Sequence, residues 1–257
     1  GVQKPAPQPA PKPAPAPATP PPAPQEPTKP SYPSIAGEMQ QLATKYEQAD
    51  VFGKRRLVEE ARTALEVPAA YRGKVKMSVQ TSSVGIRSTA KNGAAIIERF
   101  VSRNLVANTT IEVHANRSHR AFYRNGEIHL SSNTSDSVAA HEIMHGVEQK
   151  NPAVLRAAAE FLFKRAAGET AQQLSKLTGI SGYRYDEVAF EDDWAKRGGN
   201  VYAGKVYSIY GPATSAGNIR ATEVMTMGIE RLYKDPLEFF RNDPDWFEFI
   251  VRTIREL

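Results

Sequence analysis

The sequence predicts an α+β fold, and three observations carry that expectation. Helical periodicity fills the first and last parts of the chain. Strand-like segments lie between them. The two kinds of segment do not alternate as they would in a parallel α/β sheet.

The chain opens on a segment of a different kind. Fourteen of its 19 prolines lie in residues 1–33, and only Pro68, Pro152, Pro212, Pro236 and Pro244 lie beyond. Proline fixes φ, removes an N–H donor and pushes the preceding residue into extended geometry. Residues 1–33 therefore read as a Pro/Ala-rich disordered linker or leader, and residues 34–257 as one globular domain. Within that domain, 34–118 is a helical and strand part, and 119–257 contains the chemistry.

Helical patterns are expected over 34–49 and 52–65, ended by Pro68. A strand is expected over 75–80. Residues 93–105 put Ile96, Ile97, Phe100, Val101 and Leu105 on one helical stripe. Residues 110–115 alternate as a strand. Residues 120–124 and 127–130 flank Asn125-Gly126, a strong signal for a two-residue hairpin. A helix follows over 137–149. A second begins at Asn151-Pro152, read as an N-cap followed by proline at the first helical position, with Leu155, Ala158, Phe161 and Leu162 turned inward. Residues 183–194 and 201–210 read as extended, paired as a hairpin. Helices return over 218–234 and 244–256.

Composition excludes several classes of function. With no cysteine there is no disulfide framework, thiolate metal site or cysteine nucleophile. No run of about 18 apolar residues is present, so no membrane span is expected. The net charge of +5 is mild, and no basic cluster is interleaved with aromatics, so nucleic acid is not an expected partner.

The segment that carries chemistry is His141-Glu142-Ile143-Met144-His145. At about 100° per residue, His145 lies about 40° from His141 around a helix, and Glu142 lies about 100° away. Ala140, Ile143, Met144 and Val147 fall on another side as a core stripe. One face is thus buried while another presents two imidazoles able to share a Zn²⁺, with a carboxylate beside them. The strand at 127–130, immediately upstream, is expected to be the sheet edge that pairs with an extended substrate.

A third ligand has to come from elsewhere. His114, His119 and His129 all precede the motif, which leaves a downstream carboxylate: Glu148, Glu187, Glu191, Glu223 or Glu230. Glu148 shares the rigid helix of His145, so it reads as a supporting or solvated group. Glu223 opens a helix that can pack across the first, and it is the leading candidate. Glu187, Glu191 and Glu230 remain as alternatives.

His141–His145 with a downstream helical Glu223 resembles the gluzincin metallopeptidases. The strings at 202–207, 221–230, 234–236 and 243–247 resemble a zincin-like domain of bacteriophage head-associated proteins and bacterial toxin or effector proteins. The resemblance covers residues 120–251. It implies a small, mostly antiparallel sheet packed on the HExxH helix, with a C-terminal helical lobe. It also implies a zinc metallopeptidase acting on a protein or peptide, in which Glu142 moves the proton of the attacking water. Tyr207 and Tyr210, together with Arg220, are the candidate donors to the developing oxyanion. The arm then reads as a connection to an upstream carrier or secretion apparatus. The alternative is a zincin-fold assembly module of a phage particle or secretion system, with a structural metal.

Overall fold

A computed structural model of the protein describes residues 32–118 and 120–256. The Pro-rich arm lies outside the described residues up to position 31. Its last two positions, Tyr32 and Pro33, already belong to the first helix.

Helices α1 (Tyr32–Gln48) and α2 (Val51–Ala64) pack as an antiparallel-type pair joined by a short turn. Asp50 stops the first and starts the second, its carboxylate accepting from Gly53 N at 2.7 Å. Strand β1 (Lys76–Val79) leads into α3 (Val84–Phe100) and the single turn α4 (Arg103–Val106). The expected helix over 93–105 therefore begins nine residues earlier and is broken at Val101. Its start is set by Ser83, whose hydroxyl accepts from Ile86 N.

Next come β2 (Thr110–Ala115), β3 (Phe122–Arg124) and β4 (Glu127–Leu130). The β3–β4 turn is built as its sequence requires, with φ at +50° on Asn125 and +95° on Gly126. The order of this sheet is β1-β2-β4-β3. The β1–β2 and β2–β4 pairs are parallel, and only β3–β4 is antiparallel. Two expectations are corrected here. The sheet beneath the HExxH helix is mixed, because the helical crossover through α3 returns the chain in the same direction. And the 127–130 strand is interior, so the free edge belongs to β3.

Helix α5 (Asp136–Lys150) carries the HExxH motif and is followed directly by α6 (Pro152–Arg165). Asn151 occupies the N-cap position of α6 with Pro152 after it, as expected, but its side chain makes no capping bond there. Its amide donates to Val147 O at 2.6 Å and Leu105 O at 2.9 Å, closing α5 instead. Val154, Ala158, Ala159 and Leu162 are buried, while Leu155 and Phe161 pack half-buried against the core. Short elements β5 (Gln172–Gln173), α7 (Leu174–Thr178) and β6 (Val188–Ala189) then lead to β7 (Lys205–Ser208) and β8 (Ile219–Thr222). These four strands form a second sheet, antiparallel throughout. Residues 219–222 were expected to be helical. They instead form a strand paired with β7, with Ile219 and Thr222 buried at its two ends, and helix α8 (Val224–Lys234) starts only after Glu223. Helices α9 (Pro236–Asn242) and α10 (Pro244–Glu256) complete the chain. Each has proline at its first position, behind a capping aspartate.

A single hydrophobic cluster runs from Ile35 to Ile254. Helix α5 lies at its centre, between α3, the first sheet and α8. Its position is set by two close approaches. At Gly93, a Cβ would stand 2.7 Å from Ala139 Cβ and 2.9 Å from the backbone of Ala139 and Ala140. Gly146 lies against Ile111 and Tyr123 in the same manner. Gly93→Ala removes a helix-interior glycine, worth up to about 1 kcal/mol. The clash is with backbone, so the overpacking cost of about 1–3 kcal/mol wins. We expect a net loss of stability, read as a lower midpoint in chemical denaturation.

No helix among the described residues is long and apolar enough to cross a membrane.

Candidate metal centre

Helix α5 presents its residues as the periodicity requires. Ala140, Ile143, Met144 and Val147 are fully buried in the core. His141 and His145 project together from another face, with ring centroids 5.1 Å apart and the planes at 79°. Ser135 starts the helix, its hydroxyl accepting from Val138 N at 3.3 Å.

Glu223 reaches this pair from the far side. It sits at the junction between β8 and α8, with φ −103° and ψ 1°, a bridge conformation that turns the chain from strand into helix. One carboxylate oxygen, Oε2, lies 3.0 Å from His141 Nε2 and 3.3 Å from His145 Nε2. The two imidazole nitrogens and the carboxylate oxygen all fall within 4.8 Å of one another. Ligands at tetrahedral zinc distances would be about 3.3 Å apart. The donor set and its spacing therefore fit a Zn²⁺ ion. A second group of ligand-type side chains, Glu112, His114 and Glu127, lies on the opposite, solvent side of the first sheet and is less buried.

The rest of Glu223 is also held. Its Oε1 accepts from the Tyr207 hydroxyl at 2.7 Å, and its Oε2 from Thr226 Oγ1 at 2.9 Å. Burial alone would raise its pKa, but His145 and His141 outweigh burial and hold it well below the usual carboxylate range. Burial opposes charge on His141 too, yet hydrogen bonds to Glu223 and Glu230 push it up to about 10. A buried anion facing two buried imidazoles is a place that favours positive charge.

Glu230 lies outside the His141–His145–Glu223 group and meets His141 from behind. Its Oε1 lies 2.9 Å from His141 Nδ1, on the side of the ring away from Glu223. Such a carboxylate holds the proton on Nδ1 and leaves Nε2 free to coordinate. It stands seven residues after Glu223, two turns into α8, so the start of that helix and its second turn each bring a carboxylate to His141. Glu230→Gln is expected to lower zinc affinity about 10–100-fold without unfolding the protein. Competition titration with a chromogenic chelator reads this directly.

Glu148 belongs to the support and not to solvent. It is buried, accepting from Thr222 Oγ1 at 2.8 Å and Thr222 N at 3.3 Å. It therefore pins the end of β8, one residue before Glu223, to the helix bearing the histidines. Burial pushes its carboxyl up to about 7.

Glu142 is buried and lines a cavity of about 660 Å³ together with His141, His145 and Glu223. Desolvation raises its pKa, while His141 and His145 pull in the opposite direction. Tyr202, Tyr207, Arg120 and Arg220 also line this cavity, as does the edge strand β3 with Phe122, Tyr123 and Arg124. The Tyr123 ring stacks on His145 at 6.1 Å.

Of the two tyrosines read as donors, Tyr207 reaches the site and Tyr210 does not. Tyr210 is 82% exposed and absent from the cavity wall. The β-bulge after Tyr207 breaks the alternation and carries the chain away. In its place stands Tyr202, whose hydroxyl accepts from Arg120 Nη2 at 2.8 Å and Lys205 Nζ at 3.3 Å. Nothing in the spacing of Tyr202 marked it, because it lies in a helical turn before β7. Glu187 pairs with buried Lys205 and lies 3.6 Å from Arg120, Glu191 is solvent-exposed, and neither joins the His141–His145–Glu223 group.

Comparison of the chain with family models, with curated proteins and with solved structures gives no match.

Proposed function

We propose that this protein is a zinc-dependent endopeptidase, with His141, His145 and Glu223 as metal ligands and Glu142 as general base. The observation that carries the reading is the approach of Glu223, 78 positions beyond the motif, to within 3.0–3.3 Å of both imidazoles. Two surface histidines on an amphipathic helix would not require a buried carboxylate in front of them. When bound, zinc would supply Lewis acidity, polarising the scissile carbonyl and making water more acidic.

The chain's own groups have separable tasks. Edge strand β3 offers unpaired backbone N–H and C=O groups along the cavity, which suits an extended peptide. Glu142 accepts the proton of the attacking water on its carboxylate and returns it to the leaving nitrogen. Tyr207 holds Glu223 from behind, through Oε1. Arg120 and Tyr202 line the cavity, which supports them as the donors to the carbonyl oxygen as it gains charge. Tyr210 has no part in this.

A non-catalytic assembly module with a structural metal would have no use for a carboxylate at position 142 facing an open cavity. The likeness of the 202–247 strings to phage-associated and toxin domains extends the proposal to a delivered effector, with the arm as tether. Since every proposed ligand and the base lie beyond position 140, removing residues 1–31 is expected to leave zinc affinity and peptide turnover unchanged within about twofold, a difference of about 0.4 kcal/mol. Parallel assays of the full and shortened chains check this. The function itself is tested by zinc-dependent cleavage of a peptide library, abolished by chelation and restored by added zinc.

A further inference from the structure

Two hollows adjoin the candidate site and differ in character. One, of about 550 Å³, shares Arg120, Ala121, His141, Glu142 and Tyr202 with the central cavity, and beyond them it has an apolar patch of Val138, Ile180 and Met227 beside Asn200 and Glu230. The other, of about 1020 Å³, shares Phe122, Tyr123, Tyr207 and Arg220 with the central cavity. The two have only Arg120 in common, so they leave the centre in different directions.

Charge is distributed just as unevenly. Arg124 and Arg220 are both exposed on the wall of the central cavity, and neither side chain has a hydrogen bond or ion pair among the described residues. Arg220 continues into the larger hollow. Most of the other charges there have partners, and Glu169 is held only by a backbone N–H. Lys205 pairs with Glu187, Arg184 with Asp186 at 3.1 Å, and Glu169 accepts from Asp192 N at 3.1 Å. Within the central cavity Glu223 is taken up by the two histidines and Tyr207, and Glu142 stands beside the metal position. Two unpaired guanidinium groups thus stand on one side of the cavity, and the apolar patch of Val138, Ile180 and Met227 stands in the hollow on the other.

We infer that the cleft selects a protein segment with an acidic side chain placed against Arg124 and Arg220 and an apolar side chain in the hollow of Val138, Ile180 and Met227. The inference rests on the peptidase reading and names the substrate class for that site. Guanidinium forks match carboxylates in shape and charge. Their exposure makes the contact a matter of selection and encounter more than of deep affinity.

The test uses the full chain carrying Glu142→Gln, loaded with zinc, and fluorescent peptides with one apolar and one acidic residue spaced across a short extended stretch. Anisotropy should show the acidic peptide binding more tightly than its lysine counterpart, by roughly tenfold. Adding Arg124→Glu and Arg220→Glu together should reverse the order. Replacing the apolar residue by aspartate should also weaken binding, and Met227→Asp should reproduce that loss. Equal binding of acidic and lysine peptides, or a preference untouched by the double reversal in a folded protein, overturns the inference. The two readings fail separately. Cleavage by the unaltered protein without charge preference leaves the peptidase standing and removes this inference. Charge-selective binding without any cleavage does the converse.

Discussion

Glu142→Gln should keep its fold and its zinc and lose peptide cleavage by about 10²–10⁴-fold in kcat/KM, the range a positioned general base contributes. The amide has nearly the shape of the carboxylate and fills the same place in the cavity wall, so no packing changes. What it lacks is a site for the proton of the attacking water. Glu142 is buried and flanked by His141 and His145, yet neither histidine occupies it as a hydrogen-bond partner in the way Glu223 and Glu230 are occupied. A carboxylate left facing a cavity in this setting is free to take up and release a proton. Steady-state kinetics on one defined peptide, with zinc content measured on the same sample, separates loss of base from loss of metal.

Glu223→Gln should act on a different property. The amide retains an acceptor oxygen but no charge, and its nitrogen would be turned toward Tyr207 or toward the imidazoles. We expect zinc affinity to fall by more than the roughly 10–100-fold that loss of a group supporting a ligand causes. Activity should fall with metal occupancy. The fold should survive, because Thr222 remains pinned by Glu148 and Val224 by Trp246, whose indole donates to Val224 O at 3.2 Å. Equilibrium zinc titration and circular dichroism on the same variant distinguish metal loss from unfolding. If Glu223→Gln bound zinc as tightly as the unaltered protein, the third ligand would have to be sought elsewhere.

The parts of the fold that were legible in the sequence are those fixed by local periodicity. Helix α5 shows its buried stripe and its paired histidines within one short segment. The Asn125-Gly126 turn announces itself through the positive φ that both residues adopt. The aspartate–proline starts of α9 and α10 differ in legibility, since only the second precedes a long enough apolar stripe. The sheet order was not legible, because the parallel β2–β4 pairing depends on where α3 and α5 pack, and that is set by the close contact at Gly93. This is also why the edge was assigned to residues 127–130 and belongs to 122–124.

The site divides in the same way. His141, Glu142 and His145 follow from spacing, and Glu223 is the leading one of several carboxylates that spacing leaves open. Glu230 and Glu148 were both visible as acidic residues, but their roles depend on which neighbour each one meets. Glu230 meets the back of the His141 ring, and Glu148 meets the end of β8. Tyr202 and Tyr210 also depend on local backbone geometry, each on a different feature. A bulge between Tyr207 and Ser208 carries Tyr210 away from the cavity, and the helical turn before β7 brings Tyr202 to it; neither feature leaves a mark in a pattern of alternating residues.

The most direct measurement is the labelling of new N-termini in a protein library incubated with the zinc-loaded protein, run beside the Glu142→Gln variant. The account predicts a defined set of new termini that depend on zinc and are missing with the variant. An identical set of termini from both proteins, or none from the zinc-loaded protein against a broad library, would contradict it.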